Sequence, residues 1–412
     1  MLEARHALRA YLRTRRLAAT LRSRADIDRH HHRLARRLIR DACRTVPFYR
    51  AIAARALDDL PVIDKALQQG RFAEFNQPGI ALDEVVTALA DGRDRVRGYC
   101  VGQSTGTTGN RGRFVISEAE RFTWLGTIVA KALPDAFLRR HRVALALPGF
   151  SALYGSAPQA SRIALKFFDL TKGVDAWRHE FEAFAPDTVI APPKALRRLA
   201  EGVALRDCEV FSAAEVLDPI DRTIVERASG RRLREIYMAT EGLFGVSCRH
   251  GTMHLAEDVV HFDWETIAGS KLVIPIVTDL VRRTQPMIRY RMNDLLELDP
   301  SPCACGSALQ AVRRIEGRRD DAFEFAGRVV TPDVLRNAVI DADRRIDDFR
   351  VIQTAPDRIE VRLPRGLEEA GAAVTRSLDA ALSRLGIAPV AITVATGIET
   401  PFDRKLRRVI RA

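Results

Sequence analysis

The sequence predicts an α/β protein whose large N-terminal domain contains mixed, mainly parallel sheets and whose small C-terminal domain is of the α+β type. Short apolar runs alternate with helical stretches from about residue 85 to residue 300, which indicates strands joined by helices. After Gly317-Arg318-Arg319-Asp320-Asp321 the strand candidates become shorter, and a chain of 412 residues is long enough for a second core. We therefore expect a large domain over residues 1–319 and a small domain over residues 320–412.

The first 45 residues are predicted to be helical, because their leucines recur at helical spacing among arginines. These leucines are Leu8, Leu12, Leu17, Leu21, Leu34 and Leu38. Three consecutive histidines at positions 30–32 fall in this segment. We interpret them as a solvated helix face rather than as metal ligands.

Five apolar runs are the clearest strands of the large domain: VALALP (143–148), TVIAPP (188–193), EVFSAA (209–214), LREIYMATE (233–241) and KLVIPIVT (271–278). Antiparallel pairs are expected from about residue 255 to residue 298. In the small domain the sequence predicts a helix over 372–385 and three strands: FRVIQTA (349–355), RIEVRLP (358–364) and VAITVAT (390–396).

The net charge of +12 raises the possibility of nucleic-acid binding. However, arginine is abundant along the whole chain, lysine is scarce, and no RNA- or DNA-binding motif accompanies the charge, so nucleic-acid binding is only a minor alternative. No apolar run reaches the ~18 residues that span a bilayer, and the N-terminus lacks the apolar core of a secretion signal. We expect a cytoplasmic protein that binds neither membrane nor nucleic acid.

The stretch QSTGTTGNRGRF (103–114) is the first candidate binding element. Its glycines let the backbone approach a ligand, and its amide and hydroxyl groups are donors suited to phosphate oxygens. It matches neither GxxxxGK[ST] nor GxGxxG, and Ser/Thr/Gly clusters are most often plain turns. The loop alone therefore identifies no ligand.

Further motifs follow this loop in a fixed order: YMATEG (237–242), RYRMNDL (289–295), GRRDD (317–321) and PFDRK (401–405). Two others precede it: TVPFYR (45–50) and LPVIDK (60–65). Together they resemble the adenylate-forming superfamily of acyl-CoA synthetases, adenylation domains and luciferases. Within it, the chain is most similar to the phenylacetate-CoA ligase branch, over residues from about 45 to 408.

The resemblance implies an ATP site. The residues expected to wrap the β- and γ-phosphates are Ser104, Thr105, Gly106, Thr107, Thr108 and Gly109. Family members often carry a proline and a lysine just after this loop, whereas Asn110-Arg111-Gly112-Arg113 stands here, so Arg111 or Arg113 would supply the charge. The remaining nucleotide contacts are expected from Ala214 and Glu215 at adenine, Tyr237 in the pocket wall, Asp294 at the ribose hydroxyls and Arg318 at ribose or phosphate.

The resemblance also implies the catalytic set. Glu241 is expected to coordinate Mg²⁺, and Thr240 to donate a hydrogen bond to the α-phosphate. Lys405 would bridge the substrate carboxylate and the α-phosphate as charge develops on the leaving pyrophosphate. Asp320 would be the hinge about which the small domain turns.

The implied reaction has two halves. A carboxylate attacks the α-phosphorus of ATP to give an acyl-adenylate and pyrophosphate, and a thiol then attacks the adenylate and releases AMP. The acceptor is expected to be CoA, reached through the Gly327-Arg328-Val329 loop. A carrier protein that carries acyl or aryl groups on its phosphopantetheine thiol, or an amine, remains an alternative acceptor.

We expect an aryl or arylacetic acid as substrate, in a pocket that includes Trp124, Phe150 and Tyr154. The assembly state is also open, with a homodimer as one option.

A structural Zn²⁺ site is the last prediction. Cys248, His254, Cys303 and Cys305 form a Cys-x5-His plus Cys-x-Cys set, which suits tetrahedral zinc. Buried free thiols are the alternative, and His250 is a rival fourth ligand. Members of the phenylacetate-CoA ligase branch sometimes carry such a site between the same motifs, which favours zinc. Four protein ligands would leave no open catalytic position.

Overall fold

The computed structural model describes residues 2–104, 112–148, 162–202, 205–267, 270–398 and 407–412. The helices of these ranges are α1 (Leu2–Thr20), α2 (Arg24–Thr45), α3 (Pro47–Arg50), α4 (Lys65–Gly70), α5 (Leu82–Ala90), α6 (Glu118–Ala132), α7 (Arg178–Phe184), α8 (Pro193–Gly202), α9 (Pro219–Ser229), α10 (Pro332–Ala342) and α11 (Gly371–Arg384). Among the described residues, no helix combines the length and apolar character that a bilayer crossing requires.

Two sheets precede residue 320. A small antiparallel sheet contains β1 (Arg95–Val96), β2 (Tyr99–Gln103) and β3 (Arg113–Ile116). A sheet of 12 strands contains β4 (His141–Leu147), β5 (Ile163–Asp169), β6 (Thr188–Ala191), β7 (Glu209–Ala213), β8 (Arg234–Ala239), β9 (Gly242–Ser247), β10 (Met253–Leu255), β11 (Val260–Thr266), β12 (Leu272–Asp279), β13 (Tyr290–Arg291), β14 (Asp294–Asp299) and β15 (Ala311–Arg318).

The large sheet has the strand order β11-β12-β14-β15-β10-β9-β8-β7-β6-β4-β5, with β13 beside β12. Pairing is parallel from β5 to β8 and antiparallel on the other side of β8. The sheet is thus mixed, and its antiparallel part is larger than the sequence pattern indicates. Strand β15 lies between β10 and β14 and joins two groups of strands that do not otherwise pair in the described chain.

The C-terminal residues form sheets of their own. Strands β16 (Phe323–Phe325) and β17 (Arg328–Val330) make a hairpin, while β18 (Arg350–Ala355), β19 (Arg358–Leu363), β20 (Ala391–Thr396) and β21 (Val409–Arg411) form a sheet in the order β20-β19-β18-β21. A separate apolar core, which includes Leu335, Phe349 and Leu378, fills the space between these strands and helices α10 and α11. The residues after 320 contain both strands and helices, as expected for an α+β arrangement. The exact domain boundary at 319/320 stays a prediction.

The strands and helices predicted from apolar runs are confirmed. Each of the five runs of the large part lies on a strand, β4, β6, β7, β8 or β12, and the three runs of the C-terminal part lie on β18, β19 and β20. The helical N-terminus is divided into α1 and α2 at Ser23, whose hydroxyl accepts from the Asp26 N–H while Asp26 bonds back to the Ser23 N–H. Helices α1 and α6 are in close contact at Gly126. A methyl group at this position would lie only 2.1 Å from the Ala7 carbonyl oxygen, so a larger residue would push the helices apart.

The interpretation of residues 30–32 as a solvated face is wrong for two of the three histidines. His30 and His31 are buried, and their Nε2 atoms lie within hydrogen-bond distance of the Asp258 and Glu257 carbonyl oxygens. The Nδ1 atom of His31 lies 3.1 Å from that of His261, so one ring donates to the other. These contacts fix α2 to the segment that precedes β11.

Acidic pH is expected to weaken this contact. Burial lowers the pKa of His31 from 6.5 to about 4, so the unfolded chain binds more protons in that range and stability falls as the pH decreases from 6.5 towards 4. At about 1.4 kcal/mol per pKa unit, the loss between pH 7 and pH 5 is about 2 kcal/mol. Urea unfolding at both pH values measures it. The loss should shrink in His31→Gln and persist in the exposed control His32→Gln; an identical loss in all three proteins would contradict the assignment.

Candidate functional site

The two ends of the predicted phosphate loop are held together. The Ser104 N–H donates to the Gly112 carbonyl oxygen at 2.8 Å, and the Gly112 N–H donates to Ser104 Oγ at 3.0 Å. These bonds close the connection between β2 and β3, which pair antiparallel up to Gln103 and Arg113. The loop residues Thr105, Gly106, Thr107, Thr108 and Gly109 lie outside the described residues, but the point where the loop leaves and re-enters its sheet is defined.

Glu241 lies beside that point, in the turn between β8 and β9 where parallel pairing changes to antiparallel. A methyl group at Gly112 would lie 3.9 Å from Glu241 Oε1. The Tyr290 hydroxyl donates to the same oxygen at 3.2 Å, and the buried Arg282 guanidinium donates to the Glu241 carbonyl at 3.2 Å. Thr240, Glu241 and Gly112 share one small cleft. The structure therefore brings the base of the loop and the YMATE motif together.

Lys65 is a member of this site to which the sequence analysis assigned no role. The LPVIDK segment runs beside β13: the Ile63 N–H donates to Arg289 O at 2.9 Å, and the Arg291 N–H donates to Ile63 O at 2.8 Å. Helix α4 then begins at Lys65, whose Cε would lie 3.5 Å from a methyl group at Gly112. Burial lowers the pKa of Lys65, and the Glu241 carboxylate opposes this shift. The LPVIDK motif ends at this lysine and was the signal in the sequence that pointed to it.

Tyr237 and Asp294 form the second half of the site. The Tyr237 hydroxyl donates to Asp294 Oδ2 at 2.7 Å, and burial, followed by the charge of Asp294, raises the pKa of Tyr237 well above its usual value. Asp294 stands opposite Arg318 in the β14–β15 pair. Next to them, the Asn293 side-chain amide donates to Asp320 Oδ2 at 2.6 Å. The motifs around residues 237, 294 and 318 thus meet at the same end of the large sheet.

The predicted adenine turn follows β7. Ala214 has a left-handed backbone with φ of 70°, which turns the chain sharply after the strand. The Glu215 carboxylate is buried, 3.8 Å from Lys194 Nζ. The backbone of this turn, rather than its carboxylate, is therefore the part available to a base.

Several predicted residues lie outside the described ranges. These are Lys405 and the pocket candidates Phe150 and Tyr154, whereas Trp124 is half-buried on α6. The chain is described again from Arg407, which contacts Asp321, and Arg408, which contacts Asp221. Residue 407 is therefore attached to the GRRDD motif (317–321).

Four metal-ligand side chains converge near the other end of β9. One possible ligand atom from each of Cys248, His254, Cys303 and Cys305 lies within 4.8 Å of the others. The Cys248 and Cys303 sulfurs are 3.8 Å apart, and the Cys305 sulfur is 3.3 Å from His254 Nε2. Because His254 Nδ1 lies 3.1 Å from the Leu309 carbonyl, Nδ1 carries the proton and Nε2 faces the sulfurs. His250 contributes its backbone N–H to the Cys248 sulfur and is not a member of this group.

The side chains around Glu241 and Asp294 have the chemistry of a nucleotide-binding site. Two carboxylates, Glu241 and Asp294, lie among the cations Lys65, Arg113 and Arg318 at the mouth of a glycine-rich loop. A carboxylate is a good ligand for a hard cation or a vicinal diol, and the cations suit phosphate oxygens.

Comparison with known proteins agrees with this geometry. No family model matches the chain. Protein CapK of Staphylococcus aureus is 24% identical over 190 residues, and the phenylacetate-coenzyme A ligase of Thermus thermophilus is 21% identical over 158 residues. These segments cover 44% and 38% of this chain but only 42% and 32% of the two relatives.

Among solved structures, 2-hydroxyisobutyryl-CoA ligase in its postadenylation state superposes with a TM-score of 0.70, at 18% identity, over 95% of this chain and 91% of that one. The same enzyme in its thioesterification state superposes over 95% and 91% of the two chains at 19% identity, with a TM-score of 0.55. The chain therefore has the fold of the adenylate-forming CoA ligases.

Proposed function

We propose that the protein is an ATP-dependent carboxylate-activating ligase that forms an acyl-adenylate and transfers the acyl group to a thiol, CoA in the first instance. One observation carries the proposal. Gly112 at the base of the glycine-rich loop lies next to both Glu241 and Lys65, although the three residues are far apart in the sequence. A plain turn at Ser104–Gly112 would need no such neighbours.

In the proposed site the chain's own residues bind and orient the nucleotide. Asp294, positioned by the Tyr237 hydroxyl, accepts from the ribose hydroxyls. Glu241 would hold Mg²⁺, which supplies charge neutralisation at the phosphates when bound. Tyr290 and Arg282 fix the Glu241 side chain and backbone before any ligand arrives, so little reorganisation is needed.

Lys65 is proposed to supply the ammonium that this loop lacks at its own C-terminal end. Two observations support this role: Lys65 lies at the Gly112 end of the loop, and the negative charge of Glu241 favours its protonated form. We expect Lys65→Ala to raise the KM for ATP about 10- to 100-fold, since a charge-assisted contact to a phosphate is lost. Pyrophosphate exchange at varied ATP measures this. The exposed Lys271→Ala serves as the control, and an unchanged KM in Lys65→Ala would refute the role.

The experiment that tests the function is ATP–pyrophosphate exchange with a panel of aryl, arylacetic and aliphatic acids, followed by CoA, carrier-protein and amine acceptors. Exchange that depends on one class of acid supports adenylate formation, and the acceptor that releases AMP identifies the second half. An arylacetic or aryl acid is the expected substrate, since a curated relative acts on phenylacetate. Absence of exchange with every acid would overturn the proposal.

The cysteine cluster is proposed to bind one structural Zn²⁺. Zinc–sulfur bonds of ~2.3 Å in a tetrahedron give a sulfur–sulfur distance of about 3.8 Å. The 3.8 Å between Cys248 and Cys303 therefore fits, and a set of three thiolates and one imidazole is a usual ligand set for this ion. The ion would attach the loop between β14 and β15 to β9 and β10.

Loss of this metal is expected to destabilise the large sheet. Elemental analysis should find one zinc per chain in the purified protein, and Cys303→Ser should lose it and lower the thermal midpoint by several degrees, because a metal bound only by the folded chain stabilises it. Cys43→Ser, outside the cluster, is the matched control. Zinc-free protein with a full complement of free thiols would contradict the assignment.

A further inference from the structure

A cluster of charged side chains, most of them buried, joins the C-terminal residues to helices α8 and α9. It contains three arginines and three aspartates: Arg197, Arg336, Arg408, Asp218, Asp221 and Asp347. The Asp218 and Asp221 side chains are only 3% and 1% exposed. Such buried carboxylates persist only when cations compensate them.

Arg408 is the centre of the cluster. Its guanidinium lies 3.3 Å from Asp221 Oδ2 and 3.5 Å from Asp218 Oδ2, and it donates to the Asp347 carbonyl oxygen at 3.2 Å. The Arg408 backbone is also fixed, since its carbonyl accepts from the Val351 N–H at 2.7 Å. Both the side chain and the main chain at this position are therefore held.

The acidic partners belong to a rigid element. Asp218 caps α9 by accepting from the Ile220 N–H at 3.0 Å, and Asp221 lies one turn further along the same helix. Burial raises the pKa of Asp221, an effect that Arg408 and Arg197 oppose. Removing one member of a buried ion pair is destabilising, because the other charge stays buried without compensation.

The superposition of the whole chain bears on the orientation of the C-terminal part. The chain superposes better on 2-hydroxyisobutyryl-CoA ligase in its postadenylation state than on the same enzyme in its thioesterification state, with TM-scores of 0.70 and 0.55.

We infer that Arg408, Asp218 and Asp221 form a clamp that holds the C-terminal part of the chain in the orientation used for adenylate formation. The clamp must open before the C-terminal part can rotate for thioester formation. Arg408 is then a positioning residue, which acts through the orientation of the C-terminal part rather than on the substrate. The inference rests on the proposed function.

The first test separates the two half-reactions. We expect Arg408→Ala to slow pyrophosphate exchange about 100-fold, the effect of a misplacement of about 1 Å in a catalytic group, while thioester formation from preformed adenylate and CoA is retained. Asp221→Asn should produce the same asymmetry, and the double variant should lose no more than either single one. Arg411→Ala, which breaks the exposed pair between Arg411 on β21 and Glu324 on β16, is the control and should leave both rates unchanged. Equal losses in both half-reactions for Arg408→Ala would overturn the clamp.

The second test needs no substrate. Spin labels on ketone-bearing amino acids at the exposed positions Arg227 on α9 and Asp379 on α11 report the distance between the two parts of the chain. We expect a narrow distribution in the parent protein and a broad one in Arg408→Ala, with Arg408→Lys in between. Identical narrow distributions would refute the clamp. Absence of pyrophosphate exchange with every acid would instead refute the proposed function, and the distance measurement would still decide the clamp.

Discussion

Replacement of Glu241 by glutamine is expected to lower the rate of pyrophosphate exchange by about 10²–10³-fold, because the carboxylate proposed to hold Mg²⁺, which stabilises the charge developing on the phosphates, is lost. Glutamine keeps the size of the side chain and can still accept from the Tyr290 hydroxyl, so the fold should be preserved. The change removes only the negative charge that would hold Mg²⁺ against the phosphates. Exchange kinetics at varied Mg²⁺ measure the effect.

The control for this prediction is Glu182→Gln on the exposed face of α7, which should behave as the parent protein. Excess Mg²⁺ should restore part of the activity of Glu241→Gln if the lost function is metal binding. Full activity at low Mg²⁺ would show that the carboxylate has no part in the reaction.

Replacement of Lys405 by alanine is expected to reduce adenylate formation about 1,000-fold, since a cation that stabilises charge in the transition state is removed. Thioester formation from preformed adenylate should remain, because the resemblance assigns this lysine to the first half-reaction alone. Rapid-quench measurements of the two half-reactions make the comparison. Lys405→Arg should keep little of the adenylation rate, because a planar guanidinium cannot reproduce a compact ammonium group.

The neighbouring Arg404→Ala is the matched control for Lys405→Ala, since it removes a cation from the same segment. It should retain most of the adenylation rate. Equal loss in both half-reactions for Lys405→Ala would remove Lys405 from its assigned role.

The secondary structure was predictable because it depends on local patterns. An apolar run such as TVIAPP is long enough for a buried strand and too short for a helix, and it forms β6. Strand order was not predictable, because β15 inserts between β10 and β14 through pairings that no local pattern encodes. The burial of His30 and His31 escaped notice for the same reason: their partners are backbone carbonyls far along the chain.

Some residues of the candidate site could be predicted from the sequence, and others could not. The motifs around Glu241 and Asp294 could be selected from their residue types and order, and the structure brings them to one end of the sheet. The position of Lys65 could not be foreseen, since it follows from the backbone pairing of Ile63 with β13. The Tyr290 and Arg282 contacts to Glu241 were missed because a tyrosine and an arginine carry no local signature of the group they position.

The place of β15 has a consequence for biosynthesis. Tyr237 lies in the group of strands on one side of β15 and Asp294 in the group on the other, so the hydrogen bond between them links two portions that this strand unites. A nascent chain that has not yet emerged to Arg318 would present open strand edges at β10 and β14, which are prone to mispairing. Premature termination upstream of that arginine should therefore yield aggregates rather than a smaller nucleotide-binding fragment.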